Sequence, residues 1–194
     1  MGGDIIMNFE IKTYVKKNVC DFSRAQDKWG AFGNMSGSYE FNLGNVHIFN
    51  SEGLYQACRF PDYPDIQEEI LSDPSGMGAK MRSKKYRKTH TRPDFDDVRV
   101  DIMRWCLQLK FVNNKVRLSK ELRDTRGRDI VEFSTKDDFW GAHPNDKKDP
   151  VILTGQNVLG QLWMEIRDKV VKDEEVNIVV PSIPNFRLLG QLVE

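Results

Sequence analysis

The chain has 194 residues, enough for one domain with a sizeable core. Its 29 basic and 29 acidic residues cancel, so no global field draws it onto nucleic acid or a membrane surface. No apolar run approaches the roughly 20 residues of a membrane helix, and Met1 to Asn8 lacks the basic start and apolar stretch of a signal peptide.

Residues 8 to 15 alternate apolar and polar side chains, which predicts a strand. Tyr39 to Leu43 and Val46 to Phe49, on either side of Gly44-Asn45, predict a hairpin with a two-residue loop. A short helix follows from Ser51. Asp65 to Leu71, behind Pro64, predict the next, and Pro74 to Lys85 a third with the proline near its first turn. The strongest periodicity is Phe95, Val98, Ile102, Cys106 and Leu109, with Trp105 beside them, a helix from about Asp94 to Phe111. Another helix is expected over 114–124, then a short strand from Asp129 to Phe133. Leu159, Leu162, Trp163, Ile166 and Val170 mark a last helix with Asn157 as its N-cap. Helices against a few short strands give an α+β fold, predominantly helical, with a short hairpin and a small sheet. The pattern breaks after Lys172, which divides the chain into a domain over 1–172 and a C-terminal extension over 173–194. That extension either packs on the domain as an edge strand or covers a partner surface.

Cys20, Cys58 and Cys106 are odd in number and lack metal-type spacing, so they read as core thiols of a reducing, cytoplasmic protein. His47, His90 and His143 form no cluster. No metal and no cofactor are expected.

Four segments carry candidate chemistry. In Asn50-Ser51-Glu52-Gly53-Leu54-Tyr55-Gln56-Ala57-Cys58-Arg59-Phe60, an acid, an amide and a cation (Glu52, Gln56, Arg59) stand at i, i+4 and i+7 on one helix face. A solvated polar face is the ordinary alternative. Lys136-Asp137-Asp138-Phe139-Trp140-Gly141 sets carboxylates beside an aromatic-Gly pair. Gly155-Gln156-Asn157-Val158-Leu159-Gly160 opens the last helix, and Trp29-Gly30-Ala31-Phe32-Gly33-Asn34 lies upstream.

In this order and spacing, the four segments resemble the YbiA-like or NADAR family (NAD- and ADP-ribose-associated), over roughly residues 25 to 172. The resemblance implies that family's single α+β domain and N-glycosidase activity. It singles out Glu52 and Asp137 as the catalytic acids, because cleaving an N-glycosidic bond builds positive charge on the ribose that a carboxylate stabilises. A carboxyl group also activates the attacking water or supplies the proton that the departing nitrogen needs. Asp138 reads as solvated. The candidate substrate-binding set is Trp29, Phe32, Asn34, Tyr55, Gln56, Arg59, Lys110, Trp140, Gly141 and Asn157. Trp140 offers a stacking face, and Asn157 presents a helix N-terminus to phosphate. Lys110 with Phe111 matches a Lys-Phe pair of the family.

The chain departs from the pattern at Arg59, where lysine is usual. That argues against a lysine imine there and offers a bidentate phosphate grip instead. Gly53, Gly33 and Phe95 also replace the family's usual residues, which alters the pocket lining but leaves the acids in place.

Two substrate classes follow from the resemblance. One is ADP-ribose attached to guanine in nucleic acid, with a functional pairing to a DNA ADP-ribosyltransferase toxin. The other is a phosphoribosylamino-pyrimidine intermediate of riboflavin synthesis. Seven cations between residues 80 and 92 (Lys80, Arg82, Lys84, Lys85, Arg87, Lys88, Arg92) read as a nucleic-acid patch and favour the first. A non-catalytic ADP-ribose or nucleic-acid reader would need only Trp140, Asn157 and the patch, not both acids.

Overall fold

A computed structural model describes residues 9–194, so Asn8, the expected start of the first strand, lies outside the described residues. The first strand, β1 (Lys12–Val15), pairs antiparallel with β7 (Ile152–Gly155), which also pairs antiparallel with the two-residue β6 (His143–Pro144). A separate parallel pair joins β2 (Cys20–Phe22) to β5 (Ile130–Glu132). Chain alternation on β5 turns Ile130 and Glu132 to one side and Val131 to the other. Val131 is fully buried in a small cluster with Tyr14, Val19, Ala142 and Leu153, while Ile130 enters the main core. The hairpin is β3 (Phe41–Leu43) with β4 (Val46–Ile48), turned at Gly44, whose φ of 57° favours glycine.

Its end feeds α1 (Ser51–Ala57), capped by Asn50, whose side chain accepts from the Gly53 amide at 2.8 Å. Every residue of this helix is buried, because α2 (Pro64–Leu71), α3 (Gly76–His90) and α4 (Phe95–Asn113) pack around it. α5 (Lys115–Asp124) and α6 (Val158–Val171) close the bundle on the far side of α4. α3 runs five residues beyond the expected Lys85 to His90. Its extra turn is held by Tyr86, which donates to Glu69 of α2 at 2.6 Å, and by His90 against the Tyr63 ring at 4.5 Å.

Main-core contacts cross long sequence distances. Trp163 is buried and donates from Nε1 to the Phe32 carbonyl at 2.8 Å. Lys110 is fully buried, its Nζ donating to the carbonyls of Ala31 at 2.7 Å and Gly33 at 2.9 Å. Residues 173–194 return along α2 and α4. Phe186 meets Trp105 edge-on at 5.1 Å, Gln67 bonds Leu189 N and Arg187 O, and Arg92 donates to Pro184 O at 2.6 Å. The extension ends in a small hairpin, β8 (Arg187–Leu188) with β9 (Gln191–Leu192). Among the described residues, no helix is long and apolar enough to cross a membrane.

Gly160, on the first turn of α6, lies against β5, where an added Cβ would collide with the Ile130 carbonyl and the Asn157 side chain. Neither can retreat. Gly160→Ala is therefore expected to lower stability by about 2–3 kcal/mol or more, read as a fall in the urea midpoint at unchanged slope.

Candidate active site

A cleft of about 210 Å³ opens where α1, α3, α4, β5 and the 134–141 loop meet. Glu52 is 6% exposed, and its Oε1 accepts from Gln56 Nε2 at 2.8 Å. Gln56 Oε1 in turn accepts from Ser83 Oγ at 2.6 Å and Arg87 Nη2 at 3.0 Å, so a polar relay runs from α3 to the acid. The polar stripe of α1 thus faces a cleft and not open solvent.

Asp137 is built differently. Its Oδ1 accepts from the amides of Phe139 (3.1 Å) and Trp140 (2.9 Å), while its own amide donates to Ser134 Oγ at 2.9 Å. These short-range bonds fold the loop and hold the carboxylate at the cleft. Trp140 meets Tyr55 edge-on at 5.6 Å, giving the cleft an aromatic wall.

The third acid, Glu132, was not among the sequence candidates. Its backbone is fixed on both sides: its amide donates to Asn157 Oδ1 at 3.0 Å, and its carbonyl accepts from Ala142 N at 2.8 Å. Burial, then the nearby Glu52 and Asp137 carboxylates, raise its carboxyl from the usual 4.5 to about 7, with Lys80 partly opposing them. At neutral pH this group therefore shares its time between acid and carboxylate.

Asn157 has another task than the one expected. It takes a left-handed conformation, φ 51°, and makes no side-chain cap to α6. Fully buried, it bonds the Glu132 amide through Oδ1, and donates from Nδ2 to Ile130 O at 2.8 Å. Nor is the N-terminus of α6 open to phosphate. The amides of Asn157, Val158 and Leu159 are bonded to the carbonyls of Gly141, Phe139 and Trp140 at 3.0–3.1 Å. The helix end organises the loop that carries Asp137. Asn157→Ala leaves two buried backbone groups of β5 unpaired and puts alanine in a left-handed conformation. A loss of about 3–4 kcal/mol is expected, measured by denaturant unfolding.

Of the remaining sequence candidates, Asn34, Tyr55, Gln56, Arg59 and Trp140 line the cleft. Trp29, Phe32, Lys110, Gly141 and Asn157 do not. Trp29 and Phe32 stack on one another behind it, and Lys110 secures the 31–33 backbone from within the core, where burial lowers its ammonium to about 7. Gly141 is packed against the Glu132 carbonyl, with no room for a Cβ.

The seven-cation run does not form one surface. Lys80 and Arg87 turn into the cleft. Arg82 pairs with Asp73 and Glu69, Lys85 pairs with Glu69, and Arg92 is buried on Asp94. Lys84 and Lys88 are exposed. Arg24, Arg99 and Met103 also line the cleft, and the sequence did not single them out.

This constellation of acids and aromatics can be set against known proteins. The NADAR domain family model matches residues 21–171. The chain belongs to the NADAR family. This NADAR domain is 32% identical over 130 residues to a riboflavin biosynthesis protein of Vibrio vulnificus, covering 67% of the chain and 33% of that protein. It is 29% identical over 175 residues to the chloroplastic riboflavin biosynthesis protein PYRR of Zea mays, covering 84% of the chain and 26% of that protein. The chain thus spans a third or less of the length of these relatives. The NMR structure of YbiA from E. coli is similar at 26% identity and a TM-score of 0.65, covering 80% of this chain and 86% of that one.

Proposed function

We propose that this NADAR domain is an N-glycosidase that hydrolyses a phosphoribosylated amino-pyrimidine. The observation that carries this reading is the convergence of Glu52, Asp137 and Glu132 on one cleft, with Glu132 raised to about 7. Two carboxylates beside a carboxyl poised near neutrality divide the labour of the reaction. The bond between the anomeric carbon and nitrogen breaks, and its electron pair stays on nitrogen. Protonated Glu132 gives that nitrogen its proton. Asp137, held at the cleft by the loop amides, faces the positive charge that develops on the sugar ring. Water bonds to the anomeric carbon and passes its proton to Glu52, whose other oxygen is engaged by Gln56. A later exchange with solvent returns both acids to their starting states. The Trp140 and Tyr55 rings supply the wall against which a flat base packs.

A small substrate is favoured because three of the seven cations are committed to partners within the fold, which leaves no continuous basic track for a polymer. The names of the two relatives point the same way. ADP-ribosylated guanine in nucleic acid is the second reading, favoured by exposed Lys84 and Lys88 beside the two cations that enter the cleft. The readings separate on kcat/KM for each substrate across a salt series. The small pyrimidine is expected to be cleaved faster and nearly independently of salt. Preferential cleavage of the ADP-ribosylated oligonucleotide, with a log–log salt slope near the −2 of about three phosphate contacts, would reverse the order.

A further inference from the structure

The cleft holds more cations than glycosidic chemistry uses. Arg24, Arg59, Lys80, Arg87 and Arg99 line it beside the three acids, although positive charge near the anomeric carbon would oppose the transition state. Two of the arginines are set apart by their geometry. The guanidinium of Arg59 lies 3.6 Å from the centre of the Phe95 ring, and that of Arg99 lies 3.7 Å from the centre of Phe139. Stacking fixes the plane of each group and leaves its N–H edge to be used elsewhere. In both, the buried Nε has no hydrogen-bond partner. An unpaired buried donor is costly to keep, and two of them in one cleft call for an acceptor from outside the chain. Arg99 has a single carboxylate contact, 3.5 Å to Asp96, whose side chain is 88% exposed, a pairing of little strength. Phe95 and Arg99 stand one turn apart on α4, and Tyr55 feels the charge of both arginines.

We infer that Arg59 and Arg99 form a phosphate-ester subsite, with each guanidinium edge donating to phosphate oxygens and each aromatic ring holding it in register. The inference rests on the proposed glycosidase reading only for its substrate. It deepens that reading by assigning the end of the cleft where the sugar phosphate sits. Because Phe139 belongs to the loop whose amides hold Asp137, phosphate bound to Arg99 is coupled to the placement of that acid. A sugar monophosphate and the diphosphate of ADP-ribose share this chemistry.

The test uses unreactive ligands and therefore does not depend on turnover. Amide chemical shifts of the full chain are followed on titration with ribose, ribose 5-phosphate and ADP-ribose. Ribose 5-phosphate is expected to bind at least about tenfold tighter than ribose, the return on one charge-assisted contact. Arg99→Gln, its fold checked by thermal melting, should erase most of that advantage. Arg59→Lys, which keeps the charge but loses the planar fork, should weaken the phosphate ester and leave ribose unchanged. A larger loss for ADP-ribose than for ribose 5-phosphate assigns the subsite to a diphosphate, and the opposite ranking to a monophosphate. Equal binding of ribose and both phosphate esters, or an advantage untouched in folded Arg99→Gln, would overturn the subsite. Loss of glycosidase activity with this binding intact would instead count against the proposed chemistry.

Discussion

Glu132→Gln is expected to lower kcat/KM about 100-fold or more while preserving the fold. Glutamine keeps the shape and backbone contacts of the residue but cannot give a proton to the departing nitrogen. The wild-type rate should fall as pH rises through about 7, where the raised carboxyl loses its proton, and that alkaline limb should vanish in the variant. The effect of the substitution on stability has the opposite sign to its effect on activity. Because the folded carboxyl titrates near 7 and the unfolded one near 4.5, the folded protein binds the proton more tightly. Stability is therefore lost as pH rises from about 4.5 to about 7. At pH 8 the wild type carries a half-buried, desolvated and repelled carboxylate costing up to about 3 kcal/mol, and Glu132→Gln should melt higher than the wild type. Lys110 does not confuse this comparison, because its depressed ammonium adds stability only as pH rises above about 7, equally in both proteins. A variant that loses both activity and stability at pH 8 would mark Glu132 as a structural residue.

Glu52→Gln should cost about 100-fold in turnover for a different reason. Its amide oxygen can still accept from Gln56, so the relay from Arg87 and Ser83 is kept, but no base remains to take the proton of water. This variant has a second signature. Glu52 is the larger of the two charges that hold the Glu132 carboxyl up, so removing it should move the alkaline limb of the residual rate to lower pH. Wild-type turnover, under conditions where chemistry is rate-limiting, would take Glu52 out of the reaction.

The sequence made the site partly legible, and the boundary has physical causes. Glu52, Gln56 and Arg59 were readable because helical spacing alone puts them on one face. Asp137 and Trp140 were readable through a motif whose short-range bonds are made within the same few residues. Glu132 was hidden: a lone acid on a three-residue strand shows no periodicity, and its environment is made by Asn157, 25 residues away. The signal available was its parity with Ile130, which places both on the face opposite Val131. Asn157 was read as a cap because Gly-x-Asn before an apolar run resembles a helix start. Its left-handed backbone sends the side chain to β5 instead.

Arg99 was not singled out, because only the distant loop carrying Phe139 gives it a second surface. The long helices α4 and α6 came within a residue or two of expectation because their stripes are local. The β1–β7 and β2–β5 pairs were missed as pairs, since their partners lie more than 100 residues apart. How the basic run divides between cleft, ion pairs and solvent was not legible, for a related reason. Asp73 and Glu69, which neutralise part of it, sit on or just after another helix.

The most direct test is a mass-spectrometric product assay of the full chain with the phosphoribosylamino-pyrimidine, run beside the Glu52→Gln, Glu132→Gln double variant prepared identically. The wild type is expected to release free pyrimidine and ribose 5-phosphate in equal amounts, and the folded double variant neither. Intact substrate with the wild type, for this compound and for ADP-ribosylated guanine alike, would contradict N-glycosidase chemistry in this cleft, as would equal release by the double variant.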